Sequence, residues 1–138
     1  MENNQPKQIQ KSGAVVLHEK NSELIALIFR GKEKDWSFPK GHIEIDEEPI
    51  NACIWEVKEE IGLDVEIITK LPNNEYLHKN GNKIITQMYL VRSKGGDFKI
   101  ERPEDKIEWV QLDEVENKLA YDNLKKYYSE ILPIIKNI

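Results

Sequence analysis

The stretch 41-GHIEIDEEPINACIWEVKEEIGL-63 decides how this chain is read. Pro49 suits the first turn of a helix, and Gly62 suits the position just past its end. Between them Ile50, Cys53, Ile54, Val57 and Ile61 recur at offsets of three, four, seven and eleven, one apolar stripe of an amphipathic helix. Glu56, Glu59 and Glu60 stand at i, i+3 and i+4, so they share a face beside that stripe. Carboxylates this close repel one another, by a few tenths of a kcal/mol for each exposed pair. A hard divalent cation, which prefers oxygen ligands, converts the repulsion into binding. A solvated charged face is the commoner fate of such clusters, so the surroundings must decide.

Working outward, Ala14–Leu17 and Leu24–Phe29 are apolar runs separated by a polar turn, which predicts an antiparallel hairpin. Gly31–Pro39 reads as a loop anchored by Trp36 and Phe38. Beyond the helix, Val65–Leu71 and Tyr76–Val91 read as strands, the second folded back at Asn80-Gly81. Ile107–Val110 reads as a short strand. Leu119–Ile138 reads as a closing helix, bent or ended at Pro133. Strands, helix, strands and helix in this order give an α+β fold in a single domain, residues 1–138.

A chain of 138 residues with 39% hydrophobic and 33% charged positions has enough core to fold without staples. Its one cysteine, Cys53, excludes an internal disulfide, and a cytoplasmic setting is the default. The N-terminus has neither a secretory apolar core nor an arginine-rich pattern, and no apolar run is long enough to span a bilayer. The net charge of −5 disfavours sequence-independent binding of long nucleic acid or a membrane. The charge is uneven. Arg30, Lys32, Lys34 and Lys40 precede the helix, whereas Glu44–Glu60 holds seven acids and one base.

The spacing of Gly41, Glu47, Glu56, Val57, Glu59, Glu60, Gly62 and Leu63 resembles the Nudix box, G-x5-E-x7-R-E-U-x-E-E-x-G-U, with U a bulky aliphatic. Eight of its nine specified positions match over 41–63, and Trp55 stands where the family has arginine. The likeness extends from Ser12 to about Tyr128 and includes the Glu104–Trp109 segment. It implies an α/β/α sandwich with a mixed β-sheet between helices. It also implies a hydrolase that uses Mg²⁺, or Mn²⁺, to direct water at a phosphorus of a nucleoside diphosphate derivative. Carried over, Glu56, Glu59 and Glu60 are metal ligands, joined by the backbone carbonyl of Lys40. Glu59 or Glu60 is the candidate base, with Glu104 as the alternative from outside the box. Glu47 sits before the helix, where an interaction with its dipole competes with a direct part.

Two departures matter. The family arginine is thought to orient the glutamates, and Trp55 cannot supply its charged donors. Lys58, Lys32 or Lys34 is expected to compensate, leaving a slower or differently organised enzyme. Asp46 replaces a common glycine, so its turn must tolerate aspartate.

Trp36-Ser37-Phe38-Pro39-Lys40-Gly41-His42 resembles the entry to the box in asymmetrical diadenosine tetraphosphate hydrolases. That likeness makes Lys40, His42, Lys79 and Lys83 candidates for polyphosphate binding. Tyr76, Tyr89 and Tyr121 are candidates to stack an adenine. The expected reaction is cleavage of diadenosine tetraphosphate to ATP and AMP. The alternatives are pyrophosphate removal from nucleoside triphosphates or RNA 5′ ends, and a weakly catalytic nucleotide sensor. Cys53 lies on the core stripe and is not a nucleophile candidate. The sequence leaves the oligomeric state open.

Overall fold

The computed structural model describes residues 5–138. Eight strands and three helices follow in the order β1 (Gln8–Leu17), β2 (Leu24–Arg30), β3 (Asp35–Ser37), β4 (Lys40–His42), α1 (Pro49–Ile61), β5 (Val65–Lys70), β6 (Asn74–Leu77), β7 (Lys83–Ser93), β8 (Lys106–Gln111), α2 (Leu112–Lys118) and α3 (Asp122–Lys136). The strands form one sheet with the central order β3-β2-β1-β7-β5; β4 pairs with β1, β6 with β7 and β8 with β2. β1 and β7 run parallel from Gln8↔Lys83 to Leu17↔Arg92, and the other pairs are antiparallel, so the sheet is mixed.

Alternation along the strands divides the apolar side chains between two faces. Ala14, Val16, Ala26, Ile28 and Val91 cluster with Cys53, Val57 and Ile61 of α1. Val15, Leu17, Ile25, Leu27 and Leu90 cluster with Val115 of α2 and Leu124, Tyr128 and Ile131 of α3. The sheet therefore lies between helices, the sandwich that the resemblance implied.

The ends of α1 follow the local signals: Pro49 opens it and Gly62, in the left-handed region at φ 80, closes it with its N–H on the Lys58 carbonyl. Asp46 takes φ 65, a conformation that aspartate tolerates better than most residues. Ile50, expected on the buried stripe, is exposed because it lies in the first turn, outside the sheet. Three other expectations are corrected. The 31–39 loop contains β3, and β4 follows at once, because Trp36 pairs with Phe29 and Lys40 with Gly13. A short helix, α2, precedes Leu119, burying Leu112 and Val115. Pro133 does not end the expected Leu119–Ile138 helix, which instead starts at Asp122 and runs through Pro133 to Lys136. Ile131 and Ile135, both buried, hold the last turn on the sheet.

One topological detail shapes the site. β1 pairs with β2 only near Val16 and Leu17, and with β4 over Lys11–Gly13. The β2–β3 hairpin thus leaves β1 as β4 takes its place, and the Ala14 N–H already bonds to the Pro39 carbonyl at 3.0 Å.

Candidate active site

α1 packs across β1 and β4, and its acidic edge meets the β4 backbone. The Lys40 N–H donates to Glu60 Oε1 at 3.3 Å. Gly41 lies beneath Glu56, so close that a β-carbon there would fall 2.1 Å from the carboxyl carbon. Ser12 fixes the start of the helix by donating its hydroxyl to the Pro49 carbonyl at 2.7 Å. Glu56 and Glu60 are half-buried and Glu59 is exposed. Burial pushes the Glu56 carboxyl up to about 7, with the charges of Glu59, Glu101, Glu47 and Glu44 adding to the effect. Burial likewise pushes Glu60 up to about 8; Glu56 adds to this, while the Lys40 N–H, Arg30 and the Lys40 ammonium oppose it.

Beside Glu60, Ile28, Arg30, Glu33, Glu101, Arg102 and Asp105 line a cleft of about 180 Å³. Arg30 is locked in a bidentate pair with the buried Asp35, both bonds measuring 2.7 Å. Tyr121 donates its hydroxyl to Asp35 Oδ2 at 2.7 Å from the start of α3. Lys40 turns its ammonium over the Tyr76 ring, 5.9 Å from the centroid. Burial lowers the Lys40 ammonium to about 8, reinforced by the positive charges of Lys11 and Arg30. Burial and Arg30 also lower Lys11.

These residues fit a divalent cation. The donors are oxygens, Glu56 rests in a groove that a side chain at 41 would fill, and neither Glu56 nor Glu60 has an ion-pair partner among the described residues. No three His, Cys, Asp or Glu side chains among the described residues are gathered tightly enough to hold a metal by themselves. One or two carboxylates completed by waters and phosphate oxygens is the usual set for Mg²⁺.

The structure brings the Lys40 ammonium to the Tyr76 ring and the β4 backbone to Glu56 and Glu60, and leaves other candidates apart. His42 is exposed on β4 opposite Lys11. Lys79 is exposed in the β6–β7 hairpin, and Lys83 pairs with Glu75 at 3.1 Å. Tyr121 is 48% exposed, so its ring remains available. Glu104 is exposed, with its backbone against Gly31, and Glu101 rather than Glu104 lines the cleft. Tyr89 cannot stack a base, since it is buried among the residues under α1. Cys53 is buried, its thiol pushed up to about 12. Glu47 accepts the Glu44 N–H at 2.9 Å, which ties it to its own turn.

Trp55 is 58% exposed on α1. The expected substitutes for the family arginine do not reach them: Lys58 pairs with Asp64 at 3.3 Å, and Lys32 and Lys34 are exposed. The cations that act on Glu60 are Arg30 and Lys40. Arg30 sits at the end of an apolar strand, and no local pattern marks it. Its place beside Glu60 becomes visible only in the folded chain, where both residues line one cleft.

A sequence profile of the NUDIX domain matches residues 9–131. The chain is 34% identical over 126 residues to mRNA-decapping enzyme subunit 2 of Saccharomyces cerevisiae, covering 88% of this chain but only 13% of that protein. It is 36% identical over 129 residues to RNA pyrophosphohydrolase of Campylobacter jejuni, covering 75% of this chain and 81% of the relative. Its fold is similar to that of a C. elegans Ap4A hydrolase in a binary complex, with a TM-score of 0.81 and 17% identity over 94% of this chain and 99% of the other.

Proposed function

The chain belongs to the Nudix family, and from that premise we propose that it hydrolyses a nucleoside polyphosphate, with diadenosine tetraphosphate as the substrate. Water adds to a terminal phosphorus, the bond to the bridging oxygen breaks, and AMP and ATP leave. The observation that carries this reading is the meeting of Glu56 and Glu60 with the β4 backbone, beside Lys11 and Lys40, which make no ion pair among the described residues.

Glu56 and Glu60, completed by Glu59 and the Lys40 carbonyl, would hold Mg²⁺ or Mn²⁺. The bound ion supplies an acidified water and neutralises charge on the phosphate oxygens. Glu60 keeps Oε1 on the Lys40 N–H, which fixes its orientation and leaves Oε2 to accept a proton. Glu59 is exposed and so reaches the solvent side of the same face. Glu104 is the alternative base, and its loop would have to turn towards the cleft. Arg30, anchored by Asp35, meets the charge that develops at phosphorus. Lys40, Lys79, Lys83 and His42 bind the polyphosphate, and Tyr76 and Tyr121 take the base.

Removal of pyrophosphate or a cap from RNA 5′ ends is the second reading, favoured by relatives at 34% and 36% identity whose names describe RNA substrates. Against it stands the net charge of −5. The deciding assay incubates the protein and Mg²⁺ with diadenosine tetraphosphate, nucleoside triphosphates and a 5′-triphosphorylated RNA, then identifies products. Equal ATP and AMP, abolished by Glu60→Gln, is the expected result. Turnover of RNA alone establishes the second reading. Nucleotide binding without turnover makes the protein a sensor.

A further inference from the structure

Of the three tryptophans in the chain, two are engaged with other side chains. Trp36 packs on Phe29, ring centroids 5.4 Å apart, and carries the Lys118 ammonium 4.6 Å over its face. Trp109 meets Phe98 at 4.9 Å and His18 at 4.8 Å. Trp55 makes no ring or cation–π contact among the described residues, and it is 58% exposed. Its neighbours one turn away do not cover it: Ala52 is small and buried, and Lys58 is held by Asp64 at 3.3 Å. An indole is a large apolar surface to leave in water, and glutamate or lysine suits an exposed helix position better. The place of Trp55 on α1 shows what it can meet. At about 100° per residue the order around the helix is Trp55, Glu59, Glu56, Glu60, with Trp55 about 40° from Glu59. The β-carbons of Trp55 and Glu59, one turn apart, are about 5–6 Å from each other. Glu60 ends the row in the cleft that Arg30 lines. The acidic edge therefore runs from that cleft to an uncovered indole.

We propose that Trp55 stacks a second nucleobase, so that the site favours a substrate with a base at each end of its phosphate chain. The proposal rests on the hydrolytic reading above, which puts the attacked phosphate at Glu56 and Glu60. Tyr121, a base partner in that reading, is tied through Asp35 to Arg30 and so belongs to the other end of the acidic row. A base hangs one ribose beyond its own phosphate. A nucleotide held by its phosphate at the acidic edge can therefore lay its base on the flat group that flanks Glu59. Stacking needs only a π-face, which every base has, so the contact selects for the presence of a second base and not for its identity. A nucleoside triphosphate has no group to place there. A guanidinium is also flat and stacks on bases, so arginine at position 55 would keep much of this contact, and alanine none of it.

The test measures calorimetric binding of diadenosine tetraphosphate and of adenosine 5′-tetraphosphate to the full chain. Ca²⁺ replaces Mg²⁺, since it takes the same oxygen ligands and the readout is binding rather than turnover. Trp55→Ala should weaken diadenosine tetraphosphate by about tenfold, the value of one stacked base. The same variant should leave adenosine 5′-tetraphosphate within about twofold and Tm unchanged, as for an ordinary surface substitution. Trp55→Phe keeps a ring and should keep most of the affinity. The two-base ligand should also quench indole fluorescence in wild type, and Trp55→Phe should remove that quenching while still binding. A Trp55→Ala variant that binds diadenosine tetraphosphate as wild type does overturns the proposal, as does one that weakens both ligands equally. These two results leave the hydrolytic reading standing, whereas absence of binding by either ligand overturns that reading and the proposal together.

Discussion

The carboxylate of Glu56 lies against the α-carbon of Gly41, where a β-carbon would come within 2.1 Å of its carboxyl carbon and 2.2 Å of one oxygen. The box glycine is thus required by the Glu56 carboxylate rather than by backbone conformation, since Gly41 is absent from the positive-φ residues. Gly41→Ala should fold, because the obstructed atoms end a flexible side chain, but Glu56 must swing away. Turnover should fall by about a hundredfold or more, as with removal of a transition-state contact worth a few kcal/mol, with Tm lowered by only a few degrees. Thermal melts and initial rates measured on one preparation check this. Near-normal kcat would show that Glu56 is not needed where it stands.

Metal-free stability should pass through a minimum near pH 8. Glu56 and Glu60 have folded values of about 7 and 8 against an ordinary 4.5, so the folded state holds protons that the unfolded chain has released. Stability is therefore full below 4.5 and falls as pH rises through 7 and 8. Lys40 acts in the opposite direction. Its folded value of about 8 lies below the ordinary 10.5, so the penalty of burying its charge is relieved between those values. Melting in chelator from pH 5 to pH 10 should trace this curve (about six points suffice to place the minimum). Glu60→Gln should flatten the falling limb and Lys40→Met the rising one. A flat profile would mean that these groups titrate normally in the fold.

Trp55→Arg should change little. Position 55 is exposed, and Glu60 already meets Arg30 and Lys40. The expected shift in stability is within about 0.5 kcal/mol, the range of ordinary surface substitutions, with kcat within about threefold. Arg30→Met should lower kcat by about thirtyfold or more, through loss of a half-buried charge anchored by Asp35. A large gain in kcat for Trp55→Arg would show that the chain lacks a cation the structure does not supply.

Tyr121 gives Asp35 a hydroxyl and leaves its ring 48% exposed. Tyr121→Ala removes both and should raise KM for diadenosine tetraphosphate by about tenfold, the value of one stacked base. Tyr121→Phe keeps the ring and should raise KM less, while lowering Tm through the lost hydrogen bond to Asp35. Equal KM effects for the two variants would assign the role of Tyr121 to Asp35 and Arg30 rather than to the base.

Much of this was legible before any coordinates. Pro49, the apolar positions Cys53, Val57 and Ile61, and Gly62 mark α1 because helix ends and helix faces are set by residues within a turn or two of each other. The same spacing put Glu56 and Glu60 on one side. Asn80-Gly81 marked its hairpin for the same local reason. The short α2 was missed because seven residues carry only two buried positions and no capping side chain. Pro133 misled because a proline near the helix end removes only its own backbone bond, and Ile131 and Ile135 stay buried on either side of it.

By itself the sequence determined the helix, its acidic face and the family. What only the tertiary structure decided is which distant groups face those acids. Arg30 and Lys11 carry no local signature, since the acid they face, Glu60, lies on a distant element. Arg30 comes beside Glu60 from β2, because β2 leaves β1 where β4 joins it. That departure is a property of pairing between strands, and no single stretch of sequence encodes it.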